Sequence, residues 1–199
     1  MKKISELLYL LFFVVTCKAQ IVDIKDHDGS YSEGLYVKDI NNILNDFTGT
    51  YIYTTGNTSL KIVLQKKTAN PSRYDNFSFT EDILVGEYRY VENGIEKSNT
   101  LTALGINMVD ANSHSIAGNV VLEGTVFNCE DCSPNEIRLQ LGLYDHNADA
   151  TAQMTLRKRM VGGQPALEVT VIWNLRFAKT DETLLPVAFP GGRYIMVKQ

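Results

Sequence analysis

Ile137-Arg138-Leu139-Gln140-Leu141-Gly142-Leu143-Tyr144-Asp145 decides the fold. Ile137, Leu139, Leu141 and Leu143 alternate with Arg138, Gln140, Gly142 and Tyr144, a period of two that belongs to a half-buried strand and not to a helix. The pattern continues downstream. Met154, Leu156 and Met160 alternate with Gln153, Thr155, Arg157 and Arg159. Gly162-Gly163-Gln164-Pro165 reads as a turn. Leu167, Val169, Val171, Trp173 and Leu175 then face inward, opposite Glu168, Thr170, Asn174 and Arg176. A tail over residues 180–192 carries two prolines and leads to a last short strand, Tyr194–Val197.

Upstream the same period runs back to Phe47. Gly49–Thr55 is aromatic and β-branched, Gly56-Asn57 is a hairpin signal, and Ser59–Lys67 returns with Leu60, Ile62 and Leu64 on one face. Residues 69–79, with Pro71, read as a loop. Strands follow at Ile83–Val91 and Ile95–Leu101, joined by Glu92-Asn93-Gly94, and residues 107–119 read as a small-residue loop before a strand at Val120–Phe127. About eight to ten short strands joined as hairpins, with no βαβ alternation, give an all-β fold. The architectures that fit are an antiparallel up-and-down barrel of lipocalin or calycin type and an antiparallel β-sandwich. Sequential hairpins favour the barrel, because closing a meander removes its edges.

The 199 residues suggest one domain in three segments: a signal peptide at 1–19, an N-terminal segment at 20–46 with a short helix over Lys38–Asp46, and an antiparallel β-domain at 47–199. Lys2 and Lys3 precede an apolar run, Leu7–Val15, that is too short to span a bilayer but suits a signal-peptide core. Two ways of processing fit. Cleavage after Ala19 starts the mature chain at Gln20. Val14-Val15-Thr16-Cys17 also resembles a lipobox, which would place a lipid on Cys17. The expected location is the periplasm or the extracellular space, or the outer membrane if Cys17 anchors the chain there. Removing residues 1–19 takes away Lys2, Lys3, Lys18 and Glu6, which moves the net charge from −4 to −6. An acidic chain lacks the basic face that nucleic acid requires. It is expected to reach a membrane only through a lipid anchor, if Cys17 is acylated.

Cys129-Glu130-Asp131-Cys132 leaves three readings open: a small structural disulfide, a redox pair and half of a metal site. A redox pair needs a helix N-terminus, whereas this one lies between two strand-like runs beside two carboxylates that oppose a thiolate. Zinc needs a second ligand pair, and none stands nearby. The disulfide is favoured.

Asp46-Phe47-Thr48-Gly49-Thr50-Tyr51-Ile52-Tyr53 resembles the opening of a lipocalin, a short helical turn and then aromatic-x-Gly-x-Trp, with Tyr51 in place of the Trp. In that family the motif closes one end of the barrel and assigns no ligand. More broadly, the chain resembles a family of short exported bacterial proteins of unknown function. The likeness lies in Cys17-Lys18-Ala19-Gln20, Phe47–Tyr51, Gly56-Asn57-Thr58-Ser59-Leu60, Gly86-Glu87-Tyr88, Glu92-Asn93-Gly94 and Ile195-Met196-Val197. It implies an exported β protein and carries no activity.

Catalytic motifs are absent from the sequence, and neither a cofactor nor a metal is expected. His27, His114 and His146 are scattered over loop-like segments and read as solvated side chains. Ser113-His114-Ser115 sets a nucleophile beside an imidazole, but sequence neighbours point apart. Asp145-His146-Asn147-Ala148-Asp149 begins like a calcium loop and lacks its Gly and its bidentate Glu, so it reads as a polar turn. Arg157-Lys158-Arg159 reads as a solvated face. A Lys158 turned inward would sit at the barrel end or pair with a carboxylate. Tyr51, Tyr53, Tyr88 and Trp173 are candidates to line a ligand cavity. The expected function is non-catalytic, with a small apolar ligand in the barrel. The alternatives are a structural or protein-interaction module with a filled core and, last, a hydrolase using His114 or loop carboxylates.

Overall fold

A computed structural model describes residues 20–106, 108–127, 129–175 and 184–199. The expected signal segment, with Cys17, lies outside the described residues, as does Arg176. Eleven strands form among those described: β1 (Ile21–Asp23), β2 (Tyr36–Lys38), β3 (Gly49–Thr55), β4 (Thr58–Tyr74), β5 (Phe77–Glu92), β6 (Ile95–Asn99), β7 (Ile116–Glu123), β8 (Ile137–Asp145), β9 (Ala150–Val161), β10 (Gln164–Trp173) and β11 (Gly192–Lys198). Eight of them close into an antiparallel barrel in the order β3, β4, β5, β7, β8, β9, β10, β11 and back to β3. One closed sheet replaces the two faces of a sandwich, so the barrel is the fold.

The hairpins obey the sequence where the turns are strong. Gly162 and Gly163 take positive φ between β9 and β10, the geometry that a tight hairpin needs. Two other expectations are corrected. The short helix over Lys38–Asp46 is a 3₁₀ turn at Ile43–Phe47, preceded by β2. Residues 69–79 are mostly strand, not loop. A bulge between Lys67 and Asn70, with Ala69 at φ 49°, absorbs the irregularity, and pairing resumes through Pro71 and Thr80. The long β4–β5 hairpin therefore reaches past the barrel, where Tyr31 of the N-terminal segment stacks between Tyr74 and Phe79.

One edge of β5 pairs with β4, and the other serves three neighbours in turn. Its first part pairs with β2, its middle with β7 and its last part with β6. Only Leu84, Val85 and Gly86 bridge to β7, and only Val197 and Lys198 of β11 bridge to β3. Gly86 lies opposite both Leu64 and Ile116. A Cβ there would stand 2.6 Å from Leu64 Cδ2 and 2.8 Å from the Val63 carbonyl oxygen, so the absence of a side chain lets the barrel close.

The interior is filled. Leu60, Ile62, Leu64, Tyr88, Met154, Leu156, Val169, Val171 and Met196 form one buried cluster along the axis. Burial is roughly proportional to stabilisation, so this cluster is the main source of fold stability. Leu175, expected to face inward, is 87% exposed, because β10 ends at Trp173. Phe47 and Tyr51 close one end. The Tyr51 hydroxyl donates to the Thr48 carbonyl at 3.2 Å, and Lys198 lies 5.6 Å over its ring. This is the end that the lipocalin-like motif was expected to close. Lys158 stands there too, 5.7 Å over Phe47 and paired with Asp46 at 2.6 Å.

Candidate functional site

The opposite end of the barrel is its mouth, and Phe189 plugs it. The Phe189 ring is 1% exposed and lies 5.1 Å from Tyr88, 5.8 Å from Trp173 and 6.2 Å from Tyr194 between centroids. Three hydrogen bonds hold its segment down. The Ala188 amide donates to Asp145 at 2.6 Å, Trp173 Nε1 donates to the Phe189 carbonyl at 3.0 Å, and the Tyr194 hydroxyl donates to the Pro190 carbonyl at 2.5 Å. Asp145 does this while its other oxygen accepts from the Asn147 and Ala148 amides. The polar turn expected at 145–149 is therefore a strut for the plug. Above Phe189 lies a recess of about 610 Å³, lined by Tyr90, Glu92, Lys97, Ser98, Asp145, Asn147 and residues 186–190.

The four aromatics expected to line a cavity separate into two groups. Tyr51 and Tyr88 are buried in the packed interior, and burial pushes both phenols up to about 12. Tyr53 and Trp173 lie at the mouth, Tyr53 edge-on to Tyr194 at 5.1 Å and Trp173 against Phe189. Neither Phe189 nor Tyr194 was singled out from the sequence. Phe189 sits between two prolines of an irregular tail, where no periodicity marks it.

A second polar site occupies the outer wall. Cys129 and Cys132 form a disulfide, Cα to Cα 5.4 Å, in the loop joining β7 to β8. It occupies both sulfurs that a metal would need. The loop folds over β8–β10 and is pinned by Arg157, whose guanidinium bonds both Asp131 oxygens and both Glu136 oxygens. Arg157 holds the Asp131 and Glu136 carboxyls below the usual carboxylate range. Burial pushes Glu168 up, but Arg159 and Arg193 together outweigh it and leave that carboxyl lowered. Of the solvated face expected at 157–159, Lys158 is exposed and Arg159 half-buried, but Arg157 is 4% exposed and is corrected: its carboxylate partners come from the covering loop.

A third site is buried. His114 Nδ1 lies 2.9 Å from Glu87 Oε1, which also accepts the Ser115 amide at 3.2 Å. Both side chains are 1% exposed, and Glu87 Oε2 and His114 Nε2 have no hydrogen-bond partner among the described residues. His114 is thus not the solvated side chain expected of it. The 3₁₀ turns at Leu101–Gly105 and Ala111–Ser113 pack on β5, where Ala111 joins Ile83 and Val85 in a small second core, and His114 directly follows the second turn. His27 and His146 are elsewhere, His27 bonding the Ser30 carbonyl and His146 edge-on to Tyr144. The histidines do not converge.

All of residues 1–199 match one family. The chain belongs to DUF6705, a family of unknown function. No curated protein and no solved structure matches it. Membership in DUF6705 agrees with the expected resemblance to a family without assigned function. The residues described above belong to this chain's own geometry. No helix among the described residues is long and apolar enough to cross a membrane.

Proposed function

We propose that this chain is an exported, non-catalytic binding protein that recognises a small amphipathic ligand at the mouth of a filled barrel. The observation that carries the reading is the contrast between the two ends of the axis. The interior is occupied by packed side chains down to Phe47, whereas the mouth holds a recess of about 610 Å³ floored by Phe189. That volume lies within the range of small-molecule sites. Tyr90, Phe189 and the prolines give it apolar surface, and Glu92, Lys97 and Asn147 give it a polar rim. The apolar run at Leu7–Val15 and the Cys129–Cys132 disulfide support export to an oxidising compartment, as a free protein or tethered at Cys17. The non-catalytic reading rests on the Glu87–His114 pair being shut away from any substrate.

The test is titration with 1-anilinonaphthalene-8-sulfonate, followed by Trp173 emission and by backbone NMR. Saturable shifts confined to residues 90–98, 145–149 and 186–190 support the reading. Shifts at Leu60, Ile62 and Met154 would move the ligand into the barrel instead. The filled interior also favours a protein-interaction module, and the absence of any saturable response would leave that reading in place of ligand binding. Intact mass of the mature chain tests export: a start at Gln20 or an acylated Cys17 supports it, and retention of residues 1–19 refutes it.

A further inference from the structure

The outer wall of β8, β9 and β10 carries three rows of cross-strand neighbours. Arg138, Arg157 and Glu168 form the first, Gln140, Thr155 and Thr170 the second, and Gly142, Gln153 and Ile172 the third. Alternate residues of a strand share a face, so all three rows look outward, at about 7 Å intervals. Together with the disulfide loop they enclose a recess of about 510 Å³.

The charges in this recess do not balance. Arg138, Arg157 and Arg193 line it against Asp131 and Glu168, with Arg159, paired with Asp131, and Glu136, paired with Arg157, beside it. Arg157, Arg159 and Arg193 each hold at least one carboxylate. Arg138 forms no ion pair among the described residues. It is 4% exposed, its Nη2 donates to the carbonyls of Gly124 and Val126, and its Nε is buried with no acceptor. Burial, and then the charge of Arg157, lower its proton affinity, and the nearby Glu136 and Asp131 carboxylates only partly offset this. A buried cation without a counter-ion is strongly unfavourable, and an arginine fork matches a carboxylate in shape. The chain is acidic overall, so general attraction of anions does not explain this charge.

We propose that the recess binds a small hydroxylated carboxylate of the sugar-acid class, with its carboxylate against Arg138 and its hydroxyls along Gln140, Thr155, Thr170 and Gln153. One unpaired charge suits a monoanion, and Glu168 and Asp131 repel a phosphate dianion. The amide and hydroxyl rows suit hydroxyl groups, since each side chain both donates and accepts. Phe127 and Ile172, 71% and 61% exposed, supply an apolar edge for the carbon face of a sugar ring.

The experiment uses the mature chain with its disulfide intact and D-glucuronate as probe, followed by backbone NMR. Saturable shifts at β8–β10 in the millimolar range are expected, with D-glucose and acetate each weaker by about tenfold, the worth of one charge-assisted bond or of a few neutral ones. Arg138→Gln should abolish the response. Because Arg138 also holds two loop carbonyls, Thr155→Val is the second variant. It leaves the charges in place and should weaken glucuronate severalfold while sparing acetate. No saturable shift with glucuronate overturns the proposal. So does a response to acetate, glucose or inorganic phosphate equal to that of glucuronate, or a response that survives Arg138→Gln. The recess shares no lining residue with the mouth, so either reading can fail without the other.

Discussion

Replacing Phe189 by Ala tests whether the mouth is closed by packing. The ring is 1% exposed and touches Tyr88, Tyr90, Trp173 and Tyr194. Burying a phenyl group is worth about 2–3 kcal/mol. The edge-to-face contacts add about 1 kcal/mol taken together, because they share one ring and do not sum. The expected loss is about 3–4 kcal/mol, within the range for truncating a buried Phe. Water can enter a cavity at the barrel end, which places the cost nearer the lower value. Trp173 is the chain's one tryptophan, and its Nε1 donates to the Phe189 carbonyl, so urea unfolding and emission can be read on the same residue. Undocking of residues 188–190 frees that indole and shifts its emission to the red. A loss below about 1 kcal/mol with unchanged emission would refute the plug, since no packed aromatic of this kind is that cheap to remove.

Four further outcomes follow from the geometry. Reducing Cys129–Cys132 opens a very short loop and should lower stability by about 2 kcal/mol, read as a fall in the urea midpoint; no change would mean that the salt bridges of Arg157 hold the loop alone. Gly86→Val forces a side chain against the Val63 carbonyl and Leu64 at the β5–β7 closure and should cost about 1–3 kcal/mol, with hydrogen exchange fastest at β7. Asp39→Ala removes the acceptor for the Ile43 and Leu44 amides and the 2.7 Å partner of Lys66, both side chains being largely buried, and should cost about 3–5 kcal/mol by thermal unfolding. Tyr51, Tyr88 and Tyr194 ionise near pH 12 in the folded chain against about 10 when unfolded. The folded state therefore binds the phenolic protons more tightly. The stability this gives is complete below about pH 10 and is lost as the pH rises through 12. Ionisation of Tyr51, Tyr88 or Tyr194 near pH 10 in the folded chain, read residue by residue from their ring NMR shifts, would contradict it.

Much of the barrel is visible in the residues because hairpin register propagates from turns. Counting outward from the Asp145–Ala150 rung pairs Leu143 with Ala152, Leu139 with Leu156 and Arg138 with Arg157. The Gly162-Gly163 turn does the same for β9 and β10. Closure is not visible in this way. Val197 meets Ile52 from the far end of the chain, through two rungs that no local signal marks. Pro71 misled for a related reason. It breaks a strand only if its missing N–H would have been needed, and the bulge at Lys67–Asn70 resets the pairing just before it.

The same distinction separates the polar sites. Glu87 and His114 meet only because the turn at Ala111–Ser113 packs on β5, so nothing near His114 in sequence announces its partner. Arg157 looked solvated because its carboxylates, Asp131 and Glu136, lie in a loop whose path the strand pattern does not show. Arg138 is different. Register counted from the 146–149 turn already sets it beside Arg157 on the outward face, and a pair of like charges at one rung is unfavourable unless something answers both. The loop carboxylates answer Arg157 and leave Arg138 with two carbonyls and a bare Nε. A like-charge rung in a meander whose register is set by a short turn is therefore legible from the residues alone. It marks a place where the fold must supply a counter-charge or leave a ligand to do so.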